Sequence, residues 1–330
     1  IYDELQSLLT AFPHSAQISS YAGDVHTALG DKEGALEFYR NACEVDSTDG
    51  YAFYSLANFY NSQGDTEAYK REIVNALRKT SLDLDTKLQI LKSVVENSQS
   101  GDILADSVLV DSVPADTIAA NRLAQRQAEI DNLFKIVLDE HPHEPDAYKF
   151  YASYLLSMAD YKTAADMLAR SLELDPADEE QWTALISLNM QANDPQGVET
   201  NALRAMHYYP SNGQFPLMLS AAYQQEQRYN DALQMLNKSE ELTDSTDLAT
   251  LSAITGAKGD IEYASGDKAK AFGFYRKAIE LYPQNWTALN NCAYYLACED
   301  RDLDEALTMV KRAVEGRPDE PPSLDTYAWV

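Results

Sequence analysis

Residues 259–283 read GDIEYASGDKAKAFGFYRKAIELYP, and residues 23–42, GDVHTALGDKEGALEFYRNA, repeat the same phrase near the other end of the chain. Each phrase is two helix-like runs separated by a Gly-Asp pair. Gly30, Gly64 and Gly266 stand at that break, where a left-handed residue ends a first helix. Pro283 closes the longer phrase. Pro142, Pro176 and Pro210 fall 34 residues apart, twice in succession. A proline at a fixed interval after a helical run punctuates a repeat, because it cannot continue the helix.

Laid out at that period, other columns align. In the second helix one column reads Ala35, Ala164, Ala232, Ala271 and Ala306. Seven residues on, another reads Ala42, Ala76, Ser171, Ala205, Ser239, Ala278 and Ala313. The first helix carries Gly23, Ala57, Ala152, Ser220, Gly259, Ala293 and Ala328. The closing column is Pro13, Pro142, Pro176, Pro210, Pro283 and Pro318, with Ser47, Ser81 and Asp244 as substitutes. Residues seven apart share one helical face, so small residues there let two helix axes approach closely. Tyr39, Tyr60, Leu168, Tyr223, Leu236 and Tyr275 wedge around the contact. Such a hairpin cannot bury its own face and must stack on neighbours.

These columns resemble a tetratricopeptide repeat (TPR) array, a 34-residue pattern of paired helices, and the texture is similar to multi-repeat TPR proteins of bacteria. The resemblance implies an all-α fold, a right-handed superhelical solenoid of antiparallel helix pairs. It reads as one continuous array: a half repeat at 1–15; repeats at 16–49, 50–83, 84–144, 145–178, 179–212, 213–251, 252–285 and 286–320; a half repeat at 321–330. The unit at 179–212 departs in Ile186 and Val198 but keeps Trp182, Leu185, Ala205 and Pro210. At 50–83, Tyr69 replaces a small residue, which predicts a looser pair. Two half repeats without polar caps predict a fragment of a longer chain.

The 84–144 unit keeps register only with a long insert at about 98–118, between helices read at 82–97 and 117–140. Loops of that length are functional or are tolerated surface excursions. The surface reading is preferred here. A shorter insert around TDSTDLATL (243–251) predicts a lengthened helix in the seventh unit.

Composition sets the classes of partner. With 26 basic and 53 acidic residues the net charge is −27. That argues against nucleic acid and anionic membrane surfaces; the acidity reads first as resistance to non-specific association, is compatible with a neutral partner and would steer a basic one. No apolar run approaches membrane-spanning length. Cys43, Cys292 and Cys298 form neither a disulfide framework nor a zinc site; Cys292 reads as core and Cys298 as groove-lining. His141 and His143 flank Pro142 without a third fixed ligand, which is weak evidence for metal. DSTDG (46–50) and DPADEE (175–180) lack the full calcium-loop pattern and read as helix caps. No phosphate loop, nucleophile elbow or HExxH is present, so no cofactor and no catalysis are expected.

The resemblance places the first helix of each pair on a concave wall. Spacing gives its outward stripe. The candidate partner-binding residues are Tyr51, Tyr54, Asn58, Asn61, Lys149, Ser153, Thr183, Ser187, Gln214, Gln224, Asn290 and Tyr294. Only Lys92 and Lys149 offer positive charge in comparable columns, which argues against the Lys/Arg clamp by which chaperone-docking members hold acidic tails. Tyr, Asn and Gln suit an extended peptide, whose amides want hydrogen bonds. The expectation is a non-enzymatic scaffold for a partner protein or peptide. Two alternatives stay open: an accessory region of a larger enzyme or signalling protein, and a self-associating cell-envelope factor, in keeping with a bacterial periplasmic setting.

Overall fold

The computed structural model describes residues 2–99 and 115–330, and every regular element among them is a helix. They fall into two compact units, Ile1–Ser153 and Tyr154–Val330.

The first unit holds α1 (Tyr2–Ala11), α2 (Ala16–Ala28), α3 (Lys32–Val45), α4 (Gly50–Ser62), α5 (Thr66–Leu77), α6 (Leu84–Gln99), α7 (Ala115–Glu140) and most of α8 (Pro145–Ser157). Helix α2 pairs with α3, α4 with α5, and α6 with α7. The second unit holds α9 (Tyr161–Leu174), α10 (Glu179–Gln191), α11 (Pro195–Tyr208), α12 (Gln214–Gln225), α13 (Tyr229–Leu242), α14 (Leu248–Ser265), α15 (Lys268–Leu281), α16 (Trp286–Cys298), α17 (Leu303–Gly316) and α18 (Pro321–Trp329). Each of these helices packs on the next, and α10 also touches α12, α14 touches α16, and α16 touches α18. First helices therefore form a layer of neighbours within the unit.

In five of the hairpins the turn is built by two residues. Gly30, Gly64, Ala159, Asn193 and Gly266 adopt left-handed φ values of 78°, 75°, 58°, 54° and 100°. The aspartate that follows each of them caps the second helix. Asp31, Asp65, Asp160, Asp194 and Asp267 accept the backbone N–H of Gly34, Ala68, Thr163, Gly197 and Lys270 at 3.0–3.1 Å. Glycine is thus one solution to the turn rather than the rule. Ala159 and Asn193 hold the same conformation at a cost of about 1 kcal/mol each.

The small columns do bring the helices close. Ala35, Ala42, Ala76, Ala164, Ala205, Ala232, Ala271, Ala278, Ala306 and Ala313 are all fully buried. A Cβ added at Gly23 would lie 2.7 Å from the Tyr39 ring, and one at Gly259 would lie 2.8 Å from the Tyr275 ring. No side chain fits at that separation, so an aromatic face packs directly on backbone. Ser239 and Ser171 substitute for alanine because their hydroxyls find partners, Gly213 O at 2.7 Å and Gln181 Oε1 at 3.3 Å. Ala328 alone in its column is exposed.

The 243–251 insert lengthens α14 to 18 residues, against 13 in α16, and starts it at Leu248. The 98–118 insert lies largely outside the described residues. Tyr69 is buried, and with Ile73 on α5, Val94 on α6 and Ile130 and Leu133 on α7 it borders a small apolar cavity of about 170 Å³.

Candidate functional site

The candidate stripe residues divide by unit. On α4 in the first unit, Asn58 and Asn61 are exposed and Tyr54 is half-buried. Tyr51 is 46% exposed, and its hydroxyl donates to Asp83 Oδ2 at 3.1 Å, just before α6. On α8, Ser153 is exposed but donates to its own helix, Lys149 O at 3.0 Å. Lys149 is half-buried with its ammonium 3.4 Å from Asp146, and Lys92 lies 3.9 Å from Glu96. Both lysines are thus paired with carboxylates of their own helices.

In the second unit the stripe is uneven. Ser187 donates to Thr183 O at 2.8 Å and Thr183 to Glu179 O at 3.4 Å, so these hydroxyls are spent on the α10 backbone. Gln214 is exposed and opens α12, while Gln224 is half-buried near its end. Asn290 and Tyr294 on α16 differ from all the others, because the structure places them together in one concavity.

That concavity lies between α16 and α18 and measures about 520 Å³. Asn290, Asn291, Tyr294, Tyr295 and Cys298 line it from α16; Pro322, Asp325, Thr326 and Trp329 line it from α18. Residues spaced by three and four along each helix put these side chains on one face. Tyr294 is 44% exposed and Trp329 69%. Asn290 is only 9% exposed, yet its Oδ1 is buried without a hydrogen-bond partner. A buried amide oxygen without a partner carries a desolvation cost of about 1–3 kcal/mol. A ligand that supplied a donor would relieve it.

The orientation of that oxygen follows from its neighbours. Asp260 accepts from Tyr275 Oη at 2.6 Å and from Asn291 Nδ2 at 3.0 Å. Asn291 Oδ1 then faces away from Asp260 and accepts from Asn290 Nδ2 at 3.3 Å. The free end of the chain is therefore Asn290 Oδ1. Burial pushes the Asp260 carboxyl above the usual range, opposed by those two hydrogen bonds. The Tyr294 hydroxyl is also held above its ordinary value, first by its hydrogen bond with Cys298. Cys292, by contrast, is fully buried in the α15–α17 core, and burial pushes its thiol up to about 12.

Asn290 and Tyr294 stand on the stripe expected from sequence and Cys298 reads as groove-lining, whereas the α18 wall of the concavity is not singled out by that reading. A signal was present: Pro322, Asp325 and Trp329 repeat the spacing of Thr287, Asn290 and Tyr294 exactly one unit on, 35 residues later.

A second unsatisfied place lies in the first unit. Lys87 on α6 is fully buried, and neither its Nζ nor His141 Nε2, at the end of α7, has a hydrogen-bond partner. Burial lowers the pKa of both groups, offset for Lys87 by Glu140; the Lys87 charge lowers His141 further. Lys87 occupies the column where Trp182 stands fully buried, its Nε1 donating to Pro176 O at 3.0 Å. His143 is exposed, and among the described residues no three His, Cys, Asp or Glu side chains converge as a metal site. Asp49 and Asp178 accept the N–H of Tyr51 and Gln181, capping α4 and α10. Among the described residues no helix is long and apolar enough to cross a membrane.

Two tetratricopeptide repeat family models match the chain, at residues 22–49 and 257–321. A TPR repeat-containing protein of Methanocaldococcus jannaschii is 25% identical over 185 residues, which is 54% of this chain and 29% of that protein. The chain thus spans less than a third of that curated relative. Among solved structures, yeast Tom70 superposes with a TM-score of 0.46 at 13% identity, covering 99% of this chain and 93% of that one. YrrB, described as a TPR protein with an unusual peptide-binding site, gives 0.41 at 18% identity, covering 59% and 97%.

Proposed function

We propose that this chain, two stretches of which match tetratricopeptide-repeat models, is a non-enzymatic scaffold whose first-helix face binds an extended segment of a partner protein. The observation that carries the proposal is the α16–α18 concavity, lined by Asn290, whose buried Oδ1 has no partner. An extended main chain offers an N–H at every second residue on each side, and Tyr294 and Trp329 offer flat apolar faces to its side chains. Within the second unit the exposed Gln214 and half-buried Gln224 carry the same chemistry on α12, and within the first the exposed Tyr51, Asn58 and Asn61 with the half-buried Tyr54 carry it on α4. Lys149, Ser153, Thr183 and Ser187 act there as spacing surface, since their polar groups already have partners within their own helices.

The test is selection of displayed random dodecapeptides on the full chain, followed by affinity measurements on Asn290→Ala and Tyr294→Ala. We expect enriched peptides whose binding falls about tenfold in each variant, the scale of one lost hydrogen bond to a buried group or one aromatic platform. Enriched peptides that bind both variants as they bind the parent would place the interaction elsewhere and overturn the proposal, as would a selection that enriches nothing.

A further inference from the structure

We propose that the α16–α18 concavity receives a basic side chain, lysine or arginine, from the bound segment. This rests on the peptide-binding reading above and names what that site selects.

Three features of the wall point to a cation. The first is the relay that ends at Asn290. The Asp260 carboxylate accepts from Asn291 Nδ2 at 3.0 Å, and Asn291 Oδ1 accepts from Asn290 Nδ2 at 3.3 Å. Each carboxamide in this chain has its amine turned toward the carboxylate and its oxygen turned away. The dipoles align, each polarises the next, and the negative end is the Asn290 oxygen, buried without a partner on a residue that lines the cavity. An N–H borne by a cation satisfies such an oxygen better than a neutral amide does.

The second is Asp325. It is exposed on the α18 side of the cavity, and among the described residues its carboxylate makes no ion pair or hydrogen bond. Other carboxylates nearby are occupied: Glu299 by Lys268 at 2.6 Å and Tyr263 at 2.8 Å, and Glu320 by Ser323 at 2.8 Å and Arg317 at 2.9 Å. The third is the pair of rings. Tyr294 and Trp329 present partly exposed faces to the same space, and aromatic faces attract ammonium and guanidinium groups. None of the nine lining residues is Lys, Arg or His, so nothing in the wall competes. The net charge of −27 adds a long-range attraction for the same ligand. An acidic tail would find an unpaired carboxylate and an orphan acceptor there, and be repelled by both.

The test uses an immobilised positional-scanning array of dodecapeptides, probed with the full chain, Asp325→Asn and Asp325→Lys. The expected result is a preference for Lys or Arg at one peptide position on the parent. Asp325→Asn should weaken the preferred peptide about fivefold, a partly exposed charge pair, and less in high salt. Asp325→Lys should shift that one position toward Asp or Glu while the rest of the pattern persists. Asp325 is on the solvent face of α18, so both variants keep the fold, and an unchanged far-ultraviolet circular dichroism spectrum checks it. Capture of peptides with no basic preference, or a basic preference that Asp325→Lys leaves intact, overturns this inference and leaves the peptide-binding reading standing. Capture of no peptide on any of the three proteins removes the peptide-binding reading itself.

Discussion

The hairpins α2–α3 and α14–α15 use one device in two surroundings. In each, a tyrosine of the second helix lies against a glycine of the first and donates to the aspartate that follows it. Tyr39 reaches Asp24 at 2.7 Å, and Tyr275 reaches Asp260 at 2.6 Å. In α2–α3 the aspartate is exposed and the tyrosine hydroxyl rises to about 12, mainly through burial. In α14–α15 the aspartate is half-buried, and Asn291 of the next first helix, α16, adds a donor to Asp260. Burial there drives the Tyr275 hydroxyl up and raises the Asp260 carboxyl. The same hairpin is thus a local staple in one place. In the other it is the root of a polar relay that reaches the candidate site.

The comparison can be broken at four depths. The largest effect belongs to Tyr275→Ala, which empties a fully buried ring site and should cost about 3–5 kcal/mol. Tyr39→Ala should cost less, because solvent already reaches its aspartate. Repeat arrays open locally, so native-state hydrogen exchange of α14–α15 and of α2–α3 reads each loss where it occurs. Equal losses in the two hairpins would erase the distinction drawn here. Next is Gly259→Ala, whose methyl would sit 2.8 Å from the Tyr275 ring and should cost about 1–3 kcal/mol. Unchanged stability in that variant would mean the helices are not held at this separation.

Third is the pH dependence of Asp260. Its folded-state pKa is raised by burial, so the native state holds this proton more tightly than the unfolded chain does. Its contribution is fully present below the ordinary carboxylate pKa and is lost as pH rises through the raised value. Asp260→Asn keeps an acceptor for Tyr275 and Asn291 and should flatten that part of the stability profile in an acid titration. A profile identical to the parent's would place the aspartate in solvent. The smallest effect is Gly273→Ala in α15, where an added Cβ meets nothing within 4 Å. It should stabilise by about 0.5–1 kcal/mol through helix propensity, and a loss instead would show that this glycine is also a contact.

What the sequence made legible follows from which interactions repeat. Small columns, closing prolines and the Gly-Asp breaks recur because every hairpin needs them, so the paired all-α fold could be read from spacing. The left-handed turn residue was read as glycine, yet Ala159, Asn193, Gln227 and Asp300 hold positive φ too. The following aspartate caps the next helix after Ala159 and Asn193, whereas Gln227 and Asp300 are followed by arginine and by no side-chain cap. The candidate concavity was legible on one wall only. Asn290 and Tyr294 lie on a periodic stripe, but the Asp260–Asn291–Asn290 relay joins residues on different helices and has no period. Lys87 shows the opposite limit. It sits where Trp182 sits in its own unit, and no pattern announces that a buried ammonium replaces an indole.

The most direct measurement of the account is hydrogen–deuterium exchange of the full chain with and without a selected dodecapeptide. The account predicts new protection concentrated in α16 and α18, with α15 and α17 unchanged. Protection confined to the second helices α15 and α17, with α16 and α18 exchanging as before, would contradict it.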